Sequence, residues 1–119
     1  MKFSIKKGDT FARKTRFRQE SDGAILKADD LKSLFITLRS QPYENYDILL
    51  QKKLEDVTFD EEGYCHFAFT AEDMEKLDYG TYYFDISITL NNGYRKTVLY
   101  ELEITKKTTF YNGGDVSGN

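Results

Sequence analysis

The stretch Gly80-Thr81-Tyr82-Tyr83-Phe84-Asp85-Ile86-Ser87-Ile88-Thr89-Leu90 alternates strictly from Tyr82 onward. Tyr82, Phe84, Ile86, Ile88 and Leu90 share one side, and Tyr83, Asp85, Ser87 and Thr89 the other. A period of two that separates apolar from polar residues marks a strand with one buried and one wet face. A second alternation follows at once, with Tyr94, Lys96, Val98, Tyr100, Leu102 and Ile104 set against Arg95, Thr97, Leu99, Glu101 and Glu103. The loop between them is Asn91-Asn92-Gly93. A two-residue Asn92-Gly93 turn would place Leu90 opposite Arg95 and Phe84 opposite Glu101. A three-residue loop places Leu90 opposite Tyr94, Ile86 opposite Val98 and Phe84 opposite Tyr100. The buried face sets register, so the three-residue loop is expected. Gly93 then takes the left-handed conformation that a side chain would resist.

Working outward, Asp78-x-Gly80-x-Tyr82 reads as a corner in which a tyrosine hydroxyl pins the start of the strand. Upstream of it, Thr70 is an N-cap with Asp73 three residues on, and Met74 and Leu77 give a short helical turn its apolar side. Before that, Asp60-Glu61-Glu62-Gly63 reads as a type I turn joining Val57–Phe59 to Tyr64–Phe69 as a hairpin. Leu34, Ile36 and Leu38 alternate through Leu31–Ser40, which favours strand over helix. Residues 3–6 predict a short first strand and Thr10–Gln19 a single second one, with Phe11 and Phe17 sharing parity. Tyr46–Leu54, Asp56–Phe59 and Ala24–Lys27 are further extended segments. Seven or eight short strands at roughly 8–12-residue spacing predict an all-β antiparallel sandwich with one short helical turn near residues 71–77. The expected organisation is one domain over residues 1–107 and a polar, glycine-rich tail over 108–119, flexible or extended.

Composition narrows the chemistry. Nine Phe and nine Tyr with no Trp favour a β-rich core. No apolar run approaches the roughly 18 residues of a membrane-spanning helix, and the charged start Met1-Lys2-Phe3-Ser4-Ile5-Lys6-Lys7 does not read as a signal peptide. Cys65 is the only cysteine, so no internal disulfide or cysteine-based metal site is expected. Cys65 and His66 resemble a nucleophile and its base, but adjacent strand residues point to opposite faces. Cys65 shares parity with Phe67 and Phe69 and belongs to the core; His66 belongs to solvent. Asp60, Glu61 and Glu62 lack the Asp/Asn alternation of a calcium loop and read as a solvated hairpin tip. Asp85 has no second carboxylate placed with it by the sequence. Phe35, Tyr43 and Tyr83 could form a sugar-binding platform, although covering a sheet face or a partner is the commoner use of such residues. These observations predict no catalytic residues, no metal and no cofactor.

Charge is uneven. Net charge is −3, yet residues 1–18 hold seven Lys or Arg against one Asp, leaving +6 there and −9 over the remainder. Arg13, Lys14, Arg16 and Arg18 crowd one extended segment. Protective charge on a solvated edge strand is the first reading. A candidate surface for an acidic protein partner is the second, and nucleic acid comes last because no reader motif accompanies it. Opposite charge on one chain also permits contact between copies.

Several motifs together resemble a family. They are Lys7-Gly8-Asp9-Thr10-Phe11, Asp22-Gly23, Phe59-Asp60-x-x-Gly63, Thr70-x-Glu72-Asp73-x-x-x-Leu77 and Gly80-Thr81-Tyr82-Tyr83-Phe84-Asp85-Ile86. Over roughly residues 5–105 the chain resembles the small immunoglobulin-like structural proteins of tailed bacteriophages, and is similar to the N-terminal domain of the baseplate upper protein. The resemblance implies an immunoglobulin-like sandwich and a non-enzymatic virion structural or accessory protein. Its partners would be other virion proteins and copies of itself, with no small-molecule substrate and no membrane. It would reside in the host bacterial cytoplasm during assembly and then in the virion. A bacterial immunoglobulin-like adhesion or carbohydrate-binding module is the alternative.

Overall fold

Residues 80–90 form β9 (Gly80–Leu90), and the following alternation forms β10 (Arg95–Thr105). The computed structural model describes residues 1–106; the expected tail over 108–119 lies outside the described residues. The Leu90 N–H donates to the Tyr94 carbonyl and the Gly93 N–H to the Leu90 carbonyl, each at 2.8 Å. Gly93 has φ +93°. Ile86 lies opposite Val98 and Phe84 opposite Tyr100, which is the register of the three-residue loop.

On the far side of β9 lies β5 (Leu31–Arg39), antiparallel, with Leu34, Ile36 and Leu38 opposite Ile88, Ile86 and Phe84. Outside β5 runs β6 (Leu50–Lys53), shorter than the expected Tyr46–Leu54 segment. Residues 46–49 belong to the loop after β5, where Arg39 holds the Tyr46 carbonyl, and Leu54 enters a 3-10 turn over Leu54–Asp56. Along β10 runs β1 (Lys2–Lys6), completing a five-stranded sheet ordered β1-β10-β9-β5-β6. β1 and β10 are parallel, a departure from the all-antiparallel expectation. They stand at opposite ends of the described chain, so no hairpin dictates their direction and the rest of the domain serves as the crossover.

The second layer is a three-stranded sheet of β2 (Phe11–Thr15), β8 (Cys65–Phe69) and β7 (Thr58–Phe59), ordered β2-β8-β7. The single strand expected over Thr10–Gln19 is broken at Arg16. Thr15 lies opposite Cys65, where β8 begins, so β2 runs out of partner there. The chain turns away as β3 (Phe17–Arg18) and pairs with β4 (Ile25–Leu26) in a two-stranded ribbon. Counting these short pieces, the described residues hold ten strands and not seven or eight.

The fold is an immunoglobulin-like β-sandwich. Its strands can be assigned as in variable-type domains: β10, β9, β5 and β6 stand as G, F, C and C′, and β2, β8 and β7 as B, E and D. Such domains often join strands B and F by a disulfide, with a tyrosine two residues before the second Cys. Here Phe84 stands two residues after Tyr82, and its ring meets Phe11 of β2 edge-on at 5.7 Å. Phe69, Phe3 and Phe67 surround Phe84 at 5.8, 6.1 and 6.2 Å, and Tyr100 stacks on it at 5.0 Å. An aromatic cluster thus occupies the place of the inter-sheet bond, and the lone Cys65 sits elsewhere, on β8.

Between β8 and β9 the chain makes α1 (Ala71–Glu75). Thr70 Oγ1 accepts from the Asp73 N–H at 3.1 Å, and Asp73 accepts in return from the Thr70 N–H at 2.9 Å, a reciprocal cap. Lys7 closes the other end, its ammonium donating to the carbonyls of Glu75 and Leu77. Met74 and Leu77 are buried. The Tyr82 hydroxyl donates to the Asp78 carbonyl at 3.0 Å, fastening the corner at the head of β9.

Candidate interaction surface

Asp78, Gly80 and Tyr82 form the corner just described, with Gly80 at φ +140°. Burial and the nearby Asp78 charge push the Tyr82 phenol upward, so it remains a protonated donor. Asn92 and Gly93 form the hairpin loop, in which Asn92 Oδ1 accepts from the Tyr94 N–H at 3.0 Å. These residues shape the scaffold.

Each of the four basic candidates lies against a partner within its own domain. The Arg13 guanidinium lies over the rings of Phe3 and Phe11, at 5.2 and 4.6 Å. Lys14 and Arg16 both lie over Tyr64, at 4.3 and 4.1 Å, and Arg16 also donates to the Tyr64 hydroxyl at 2.7 Å. Arg18 donates to the Gly23 carbonyl at 3.1 Å. β2 is an edge strand, and its cations lie across aromatic rings of their own domain.

Cys65 and His66 point apart. Cys65 is sealed in the core, where burial pushes its thiol up to about 12. His66 faces outward, its Nε2 lying 2.8 Å from Asp60 Oδ2. Asp60 also accepts from the N–H groups of Glu62 and Tyr64, at 2.9 and 3.0 Å. The His66 contact, above all, holds its carboxyl below the usual carboxylate range. The first residue of the acidic tip is therefore the organiser of its turn. Asp85, on the outer face of β9, lies 3.3 Å from the Arg39 guanidinium. Burial raises its carboxyl, Arg39 pulls it down, and Glu44 raises it again. Arg39 reaches across to the Tyr46 carbonyl at 3.1 Å, so this pair clamps the loop between β5 and β6. That loop displays Tyr43 and Tyr46, with ring centroids 6.1 Å apart, beside Ile48 and Leu49, all exposed. Phe35 is exposed on the outer face, whereas Tyr83 is half-buried there.

The feature that sequence reading missed is the edge of β10. Leu90 bonds Tyr94, so the even-numbered residues of β10 direct their backbone groups to β9 and the odd-numbered ones away from it. From Glu101 onward those outward groups meet β1: the Glu101 N–H donates to the Met1 carbonyl at 3.0 Å, and Lys2–Lys6 pair with Glu101–Thr105. Among the described residues no strand lies beside Arg95–Leu99 on that side. This open run is flanked by large apolar side chains. Leu99 is 47% exposed on the outer face, and Val98 and Tyr94 are 38% and 46% exposed on the inner face, where the Tyr94 hydroxyl donates to Glu20, just past β3, at 2.6 Å. The amphipathic pattern that revealed the hairpin carries no information about where β1 stops, because that contact joins opposite ends of the described chain.

No family model and no curated protein matches the chain. Among solved structures, it is similar to CopC from Methylosinus trichosporium OB3b, with a TM-score of 0.51 and 10% identity over 92% of this chain and 89% of CopC. A bacterial ice-binding adhesin gives a TM-score of 0.44 and 15% identity over 89% of this chain and 29% of the adhesin chain. Murine CRIg gives 0.45 and 5% over 90% of this chain and 92% of CRIg. None of the three is a phage protein. At 10% identity the likeness to CopC speaks to the fold alone.

Proposed function

We propose that this chain is a non-enzymatic interaction module, and that its setting is a bacteriophage virion, in the tail, baseplate or head–tail region. The observation that carries the reading is the open stretch of β10 with Tyr94, Val98 and Leu99 exposed beside it. Unpaired backbone groups bordered by apolar side chains form a template on which another chain can add a strand. The virion setting rests on the motif resemblance in the turns and the corner. The separation of Cys65 from His66 supports a non-catalytic role. The experiment is mass spectrometry of purified particles from a lysate of the strain that carries the gene. Recovery in fixed proportion to tail proteins is the expected result. Abundance in the lysate with absence from particles would overturn the virion setting.

A second reading, an adhesion or carbohydrate-binding module, is favoured by the exposed Tyr43 and Tyr46 rings on their clamped loop. Glycan-array binding that disappears in Tyr43→Ala would select it over the first.

A further inference from the structure

The open edge is five residues long, Arg95–Leu99, and centred on Thr97. We propose that two copies of the chain join through it, antiparallel about a twofold axis at Thr97, to make one continuous sheet. The proposal rests on reading the chain as an interaction module and names its partner.

Three observations select this occupant and register. First, antiparallel pairing about Thr97 sets Thr97 opposite its equivalent and Arg95 opposite Leu99 of the second copy. The outward N–H and C=O groups of Arg95, Thr97 and Leu99 are then all engaged, with none left over. A twofold interface requires this kind of self-complementarity. Second, charge fits. Arg95 makes no ion pair among the described residues. In this register it lies diagonally across from Glu101 of the second copy on the outer face, within reach of a long side chain. Glu101 already meets Lys2 of its own chain at 3.5 Å, so Arg95 joins as a second cation on that carboxylate, and symmetry makes the contact twice. Third, the neighbouring symmetric registers fail. Centring on Lys96 places two ammonium groups directly opposite one another. Centring on Val98 requires the edge of Glu101, whose N–H is already donated to Met1. The Thr97 register covers Leu99 and Val98 with neither fault, and asks only that Met1, at the end of β1 beside Tyr100, yield to Tyr94 of the second copy.

The geometry supplies its own test. Directly opposite residues of a hydrogen-bonded antiparallel pair have Cα atoms about 5.5 Å apart, inside the roughly 4.4–6.8 Å range of a disulfide. Thr97→Cys should therefore form a covalent dimer under mild oxidation. Thr89→Cys, beside Arg95 on β9 and away from the axis, should not. Cys65 is fully buried and stays silent in both. In sedimentation over a concentration range, the unaltered chain should dimerise. Arg95→Glu should weaken the dimer at least tenfold, and the swap Arg95→Glu with Glu101→Arg should restore it. A chain that remains monomeric at millimolar concentration, or cross-links equally at both positions, would overturn the proposal. A monomeric chain that is nonetheless recovered in particles would sink the twofold pairing and leave the virion reading standing. A dimer missing from particles would do the reverse.

Discussion

Gly63 shows how much one residue can carry. It ends the turn between β7 and β8 with φ +88°, and a Cβ there would lie 2.5 Å from Ile25 Cγ2 of the β3–β4 ribbon. Gly23 has a similar φ of +74° but open space around it. Alanine in a left-handed conformation costs about 1–2 kcal/mol. Gly23→Ala should lose that alone, whereas Gly63→Ala should lose that and the close contact besides. Urea midpoints measure the difference, and equal falls would contradict the packing against Ile25. The turn at Gly63 was legible from Asp60-Glu61-Glu62-Gly63, but its neighbour was not, because Ile25 arrives from a distant segment. Tyr82 was legible in both position and role. Tyr82→Phe should lower stability by about 1 kcal/mol as the hydroxyl's bond to Asp78 is lost. An unaltered urea midpoint would show that the bond contributes nothing.

At the scale of elements, patterns that repeat locally were readable and those set by distant ends were not. The β9–β10 register followed from parity and one glycine. The break of β2 at Arg16 did not, because it is set by where β8 begins. The cap of α1 was visible as Thr70 and Asp73, and it carries a pH dependence. Burial opposes charge on Asp73, but the Lys52 ammonium at 2.8 Å and the bonds with Thr70 outweigh it and hold the carboxyl below its usual range. A depressed carboxylate stabilises the fold above its unfolded value, and that contribution is lost as pH falls through the folded one. Asp73→Asn should therefore flatten the fall in stability below about pH 4. Asp85, whose carboxyl is raised, acts with the opposite sign, its cost relieved as pH falls. Urea midpoints at neutral and acid pH test this, and parallel losses in the two chains would refute the role given to Asp73.

For the whole molecule, the sandwich is held where the two layers meet at Phe84, with five aromatic rings around it. Phe84→Ala should cost about 3–5 kcal/mol, and Phe84→Leu markedly less. Thermal unfolding would check this, and a small loss with alanine would show that the cluster is not the keystone. The same architecture leaves β10 longer than its outer neighbour, and the open edge follows from that mismatch. Amide hydrogen exchange followed residue by residue tests it most directly. In the dilute chain, the Lys96 and Val98 amides should be protected and those of Arg95, Thr97 and Leu99 should exchange freely. As concentration rises or particles assemble, the latter three should become protected together. Protection of those three amides in the dilute chain, or free exchange under every condition, would contradict the claim that this edge is where the molecule makes its contacts.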